Sequence, residues 1–150
     1  MPDDPRTPAR RRRDTEHRLT HDVDVWVATA STDGVPSLVP LSFDWDGEAL
    51  LLATSADSRT GRNLADTRSA RLALGHTRDV TMIEGDVEVL EIDGLSEERT
   101  ERFVDRAGFD PREEAGPFRW FRVIPHRIQA WREENEMVGR ELMHDGHWSA

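Results

Sequence analysis

From Val23 onward the chain is cut into short runs of β-forming residues separated by turn signals, and this spacing constrains the fold more than any other feature. Val23, Val25 and Val27 alternate with Asp24, Trp26 and Ala28. Asp33-Gly34 then marks a hairpin into residues 37–45, and Asp46-Gly47 a second one into 50–55. Tight hairpins join only antiparallel neighbours, so these three segments predict a meander. Ser58 as an N-cap, with Leu64 and Ala65 as the buried side, predicts a helix over 58–67. Residues 70–75 and 80–92 read as two more strands, with Gly85 marking a bulge or a close backbone approach. Glu97 and Glu98 in a first turn, Phe103, Val104 and Ala107 at helical spacing, and Gly108 as a stop predict a helix over 96–107. Residues 118–132 form a sixth strand that is apolar on both faces: Trp120, Ile124 and Ile128 on one, Phe121, Val123 and Trp131 on the other. A strand buried on both sides in so small a chain predicts a partner subunit. The pattern is that of a small antiparallel barrel or sandwich.

The β-rich part occupies 19–150, and at 150 residues in all the chain has room for one core. Residues 1–18 contain Pro2, Pro5, Pro8 and the run Arg10 to Arg13, with little to bury, and read as a disordered tail in which Arg11 and Arg12 are exposed. Six Arg against four acidic residues make this segment basic, while the remainder holds 14 Arg against 26 acids. The four-Arg run suits a nucleic-acid arm, but a solvated tail is the simpler reading. The overall net charge of −10 argues against duplex nucleic acid or an anionic membrane as the main partner. No apolar run approaches a membrane span and no secretory signal is visible, so a cytoplasmic location is expected.

All 20 basic residues are Arg, and the chain has no Lys and no Cys. That excludes a Schiff base, a P-loop lysine, thiolate metal sites and a Cys nucleophile. The informative stretch is LLATSADSRTGRNL, from Leu51 to Leu64: a strand, a polar turn, then a helix whose first turns carry Arg59 and Arg62. A helix N-terminus is already electropositive, so two cations there are unfavourable unless an anion arrives, which is how a phosphate site is built. The alternative is that Asp57 neutralises one Arg, Ser58 is only a cap, and both guanidiniums are solvated.

The run PSLVPLSFDWDGEALLLATSADSRTGRNLADTRSARLAL, Pro36 to Leu74, resembles the pyridoxamine 5′-phosphate oxidase-like family of flavin and deazaflavin split barrels. The shared features are a strand, a DG turn, a strand ending in Thr, a Ser-Arg phosphate turn and a helix beginning near Asn-Leu. FRVIPHRIQAW near the carboxyl end resembles the family's Arg-x-x-Pro strand ending in Trp. The resemblance implies a mainly β fold, a six-stranded antiparallel split β-barrel of Greek-key type with two or three short helices. It implies a homodimer that binds FMN, or alternatively the deazaflavin coenzyme F420, at the subunit interface. Ser58, Arg59 and Arg62 would hold the cofactor phosphate, and Asn63 would also bind the cofactor. Thr54 and Ser55 would line the ribityl chain, and Pro40, Leu41 and Ser42 would lie along the ring. Trp131 and Arg140 would come from the partner subunit. Thr60 stands where many members carry a phosphate-contacting Lys, which leaves Arg62 to take that role.

The resemblance implies an oxidoreductase in which the cofactor carries a hydride to or from a small molecule. Its rival is a protein that binds a flavin, haem or tetrapyrrole without turnover. No second basic motif for a substrate phosphate is visible, so pyridoxamine phosphate oxidation itself is not expected. Other clusters read as structural. His17/His21 and His144/His147 have spacings that would suit zinc on a helix face, but no third ligand accompanies either pair. Ser55, His76 and Asp79 would make a hydrolase set, yet no nucleophile-elbow motif supports it. The Trp residues read as core and interface anchors, Trp131 excepted.

Overall fold

The computed structural model describes residues 3–149. Its elements in chain order are α1 (Pro8–His21), β1 (Asp24–Ala30), β2 (Pro36–Trp45), β3 (Leu50–Ser55), α2 (Arg59–Thr67), β4 (Ser69–His76), β5 (Asp79–Glu91), α3 (Glu97–Ala107), β6 (Phe118–Trp131), β7 (Glu141–His144) and β8 (His147–Trp148). The strands pair in the order β3-β2-β1-β4-β5-β6, and β3–β6 pairing closes these six into an antiparallel barrel. The first three strands are the expected meander, joined through turns in which Gly34 and Gly47 adopt φ of +88° and +94°. After α2 the chain returns beside β1 instead of β3, which makes β4-β1-β2-β3 a Greek key. Among the described residues no helix is long and apolar enough to cross a membrane.

The barrel interior is filled by alternate residues of every strand, among them Val27, Phe43, Leu52, Leu72, Ile83 and Phe121, with Leu19 of α1 and Leu64 of α2 packed against them. One residue changes the expected faces of β6. Glu84 pairs with Arg127 and Gly85 with Pro125, so His126 is an extra residue that reverses the alternation. Ile128 therefore joins Phe121 and Val123 inside the barrel instead of Trp120 and Ile124 outside it. Gly85 is required opposite the bulge, because a Cβ there would lie 2.6 Å from Val123 Cγ1 and 2.9 Å from the Ile124 carbonyl oxygen.

The outer side of Trp120, which periodicity leaves for a partner, is covered within the chain itself. Trp120, Leu51 and Ala53 on the outside of β6 and β3 pack under α3, where Phe103 meets Trp120 edge-on at 5.0 Å. The Trp120 indole N–H donates to the Ile92 carbonyl at 3.0 Å, and Arg99 ties α3 to the buried Asp44 of β2.

Much of the expected disordered tail is folded; Met1 and Pro2 lie outside the described residues. Thr7 caps α1, Pro8 opens it, and Arg12–Glu16 pairs along one side. Its buried face is Arg11, Thr15 and Leu19, at helical spacing but mostly polar. Arg11 is buried, contrary to expectation, and Arg12 lies 4.7 Å from the centre of the Trp148 ring. The carboxyl end adds a hairpin not foreseen, β7–β8, which turns at Asp145-Gly146 with both residues at positive φ.

Candidate functional site

β2 and β3 pair only from Phe43–Leu52 to Trp45–Leu50. Beyond that point β3 continues against β6 as far as Ser55–Phe118, while residues 36–42 of β2 pair only with β1. The two strands thus part, with Pro40, Leu41 and Ser42 on one side of the split and Thr54 and Ser55 on the other. Pro40 is exposed, Leu41 packs on the core, and Ser42 donates from its hydroxyl to Asp24 at 2.9 Å. Thr54 and Ser55 are half-buried.

The chain leaves the split through a tight turn into α2. The Ser55 carbonyl accepts from the Ser58 N–H at 3.2 Å and from the Ser58 hydroxyl at 2.7 Å, and Ser58 Oγ in turn accepts from the Gly61 N–H at 3.0 Å. Ser58 is therefore the N-cap that the sequence predicts. Gly61 is the part sequence reading missed: a Cβ there would stand 2.1 Å from the Ser55 carbonyl oxygen, so the helix sits directly on the strand end. Its signal was a glycine placed inside the first turn of a helix, where an ordinary helix former would be favoured.

Arg59 and Arg62 project outward from this first turn and are exposed. Neither guanidinium makes a hydrogen bond or ion pair among the described residues, and Asp57 does not neutralise either. The nearest charge effect falls on Asp33, held below the usual carboxylate range chiefly by the Ser31 hydroxyl and in smaller part by Arg59. Two free cations thus share a helix N-terminus with unpaired N–H groups, which favours an anion. Thr60 between them is buried and takes no part in that surface. Asn63 is also buried, and its amide donates to the Thr29 hydroxyl at 3.1 Å, which fixes α2 to β1.

Trp131 and Arg140 are not brought to this place. Ser55 lies opposite the first residue of β6 and Trp131 is the last, so one chain puts them at opposite ends of the strand. Arg140 donates to Gln129 Oε1 at 2.9 Å and to the Met137 carbonyl at 2.8 Å, beside a surface cavity of about 300 Å³ shared with Arg127 and Glu141. The other clusters are accounted for locally. Asp79 is held by Arg18 at 3.0 Å and Arg132 at 3.2 Å and does not orient His76. His17 and His21 stack at 4.0 Å, and His144 and His147 flank the β7–β8 turn, both exposed.

The family model for pyridoxamine 5′-phosphate oxidase matches residues 17–132, from the second half of α1 to the end of β6. The chain belongs to this family. No curated protein matches the sequence. Among solved structures it is similar to an F420 reductase (20% identity, 75% of this chain and 94% of that one, TM-score 0.62). It is also similar to a heme binding protein from Mycobacterium smegmatis (17%, 86% and 55%, TM-score 0.65). A third is a pyridoxamine 5′-phosphate oxidase-related, FMN binding protein from Nostoc punctiforme PCC 73102 (16%, 82% and 78%, TM-score 0.51). At these identities the likenesses establish the family's split barrel and leave the ligand to the residues themselves.

Proposed function

We propose that this member of the pyridoxamine 5′-phosphate oxidase family binds FMN, or alternatively the deazaflavin coenzyme F420, and passes a hydride between it and a small molecule. The observation that carries this reading is the pair of unpartnered guanidiniums, Arg59 and Arg62, on the first turn of α2 beside the β2–β3 split. A phosphate would satisfy both cations and the helix N–H groups at once. Thr54 and Ser55 supply hydroxyls next to that anchor, and the free edge of β2 at Pro40–Ser42 offers backbone groups to a planar ring. The bound group would supply the hydride chemistry; the chain, lacking Cys and Lys, supplies anchoring and orientation.

A second copy completes this reading. Trp26 and Leu38, 50% and 62% exposed, lie with Pro40 on the outer face of β1–β2, where Trp26 pairs with Pro40 and Ala28 with Leu38. Large apolar groups so placed mark an association surface. In a homodimer each copy would bring its Trp131 and Arg140 toward the split of the other.

The test is the absorption spectrum of the purified protein, mass spectrometry of whatever denaturation releases, and titration with FMN and with F420. Charge-assisted bonds are worth about 1.5–3 kcal/mol each, so Arg59→Ala or Arg62→Ala should weaken cofactor binding about tenfold to a hundredfold. A protein that binds neither cofactor overturns the reading, and a haem spectrum without flavin would replace it with sequestration of a tetrapyrrole.

A further inference from the structure

From the last two residues of β6 to the start of β7 the chain makes an eleven-residue excursion, 130–140, closed at its ends by the Ala130 N–H donating to the Arg140 carbonyl at 2.9 Å. Its internal backbone-to-backbone bonds are those of one 3-10 turn at Glu134–Glu136. Two arginines from the opposite end of the sequence hold the excursion, Arg11 through its carbonyls and Arg6 through the Glu136 carboxylate. Arg11, 3% exposed, donates from Nη1 to the carbonyls of Ala130 (3.2 Å) and Glu136 (2.9 Å) and from Nη2 to that of Val138 (3.2 Å). Arg6, 6% exposed, encloses the Glu136 carboxylate: its N–H and Nε donate to Oε2 at 2.8 and 3.0 Å, and its Nη2 donates to Oε1 at 2.8 Å. The Arg132 N–H adds a fourth bond at 2.8 Å, and Glu136 is only 2% exposed. The rigid guanidinium fork suits carbonyls held at fixed separations, which a single-point donor does not match.

This excursion carries Trp131 at one end and Arg140 at the other. The Arg140 side chain is held by the Met137 carbonyl, which lies in sequence between two of the three carbonyls that Arg11 grips, Glu136 and Val138. Arg6 and Arg11 also precede the stretch matched by the family model, which begins at residue 17.

We propose that Arg11, with the Arg6–Glu136 pair, is a positioning group that sets the aim of Trp131 and Arg140 toward the cofactor site of a second copy, so that α1 belongs to the binding machinery. The inference rests on the flavin reading and the dimer described above. Its distinguishing consequence is that the phosphate anchor at α2 and the 130–140 segment contribute to cofactor binding separately.

The experiment compares wild type, Arg11→Ala, Arg11→Lys and Arg13→Ala, the last being exposed on the same helix. Three readouts are taken on each: amide hydrogen exchange over 130–141, affinity for FMN and F420, and competition by inorganic phosphate, which engages the α2 anchor alone. Arg11→Ala should exchange at least about tenfold faster over 130–141 and bind the preferred cofactor about tenfold more weakly, with the phosphate constant unchanged. Arg11→Lys should behave like Arg11→Ala, and Arg13→Ala like wild type. Unchanged cofactor affinity in Arg11→Ala, or cofactor and phosphate constants that weaken in parallel, would overturn the inference while leaving the flavin reading standing. A wild type that binds neither cofactor would overturn the flavin reading, and the inference with it. Glu136→Gln, nearly isosteric, carries the same comparison if Arg11→Ala does not fold.

Discussion

Replacing Gly61 by Ala tests whether α2 is seated on the end of β3 as the geometry requires. The added Cβ would stand 2.1 Å from the Ser55 carbonyl oxygen, whereas real Cβ contacts do not fall below 3.0 Å, so a gap of about 0.9 Å must open. The obstacle is backbone and cannot rotate aside. That carbonyl also accepts both the N–H and the hydroxyl of Ser58, so moving it releases the helix cap. Overpacking costs about 1–3 kcal/mol, and a backbone clash belongs at the upper end; exchanging Gly for Ala in a helix returns up to about 1 kcal/mol. The expected net loss is about 2 kcal/mol, read as a lowered urea midpoint at unchanged slope. The same displacement carries Arg59 and Arg62 away from Ser55, so cofactor affinity should fall at least about tenfold on titration with FMN or F420. A Gly61→Ala variant as stable as wild type and equally avid for cofactor would refute the seating of α2 on Ser55.

Glu136 is held down to about 2 from its ordinary 4.5, first by the Arg6 side chain and further by the Arg6 and Arg132 N–H groups. With the folded value below the unfolded one, the stabilisation is complete above about pH 4.5 and is lost as pH falls toward about 2. On the order of 3 kcal/mol should disappear across that window from Glu136 alone, and Glu136→Gln should remove that share of the dependence in urea titrations. Phe103→Ala, which strips α3 of its contact with Trp120, should cost about 3–5 kcal/mol of stability by the same assay. In the proposed homodimer, Leu38→Asp on the exposed face of β2 should shift sedimentation toward monomer, with unchanged sedimentation refuting that surface as the contact.

Strand by strand, the barrel was legible because each segment announces itself locally. Alternating valines, Asp-Gly turns, Ser58 and Ser96 as caps and Gly108 as a stop all act within a few residues of where they stand. The electropositive turn was legible for the same reason, since Ser58, Arg59 and Arg62 share one helix start. α1 was not, although Thr7-Pro8 and the spacing of Arg11, Thr15 and Leu19 are helix signals. Its buried face is made largely of an arginine and a threonine, and the arginine's partners are carbonyls more than a hundred residues away.

What the sequence by itself determined is the order and type of the β1–β6 elements and the electropositive turn, because hairpin geometry, capping and alternation are short-range effects. Tertiary structure alone decided the rest. The bulge at His126 chose which face Ile128 occupies, and α3 took the outer side of Trp120 that periodicity had left for a partner. Gly61 became obligatory only when a helix met a strand's terminal carbonyl. Arg6 and Arg11 were buried only because the excursion after β6 presents a carboxylate and three carbonyls that draw donors from the far end of the chain. An unsatisfied buried polar group is costly, and which group will be left to satisfy is not written in any local stretch of chain.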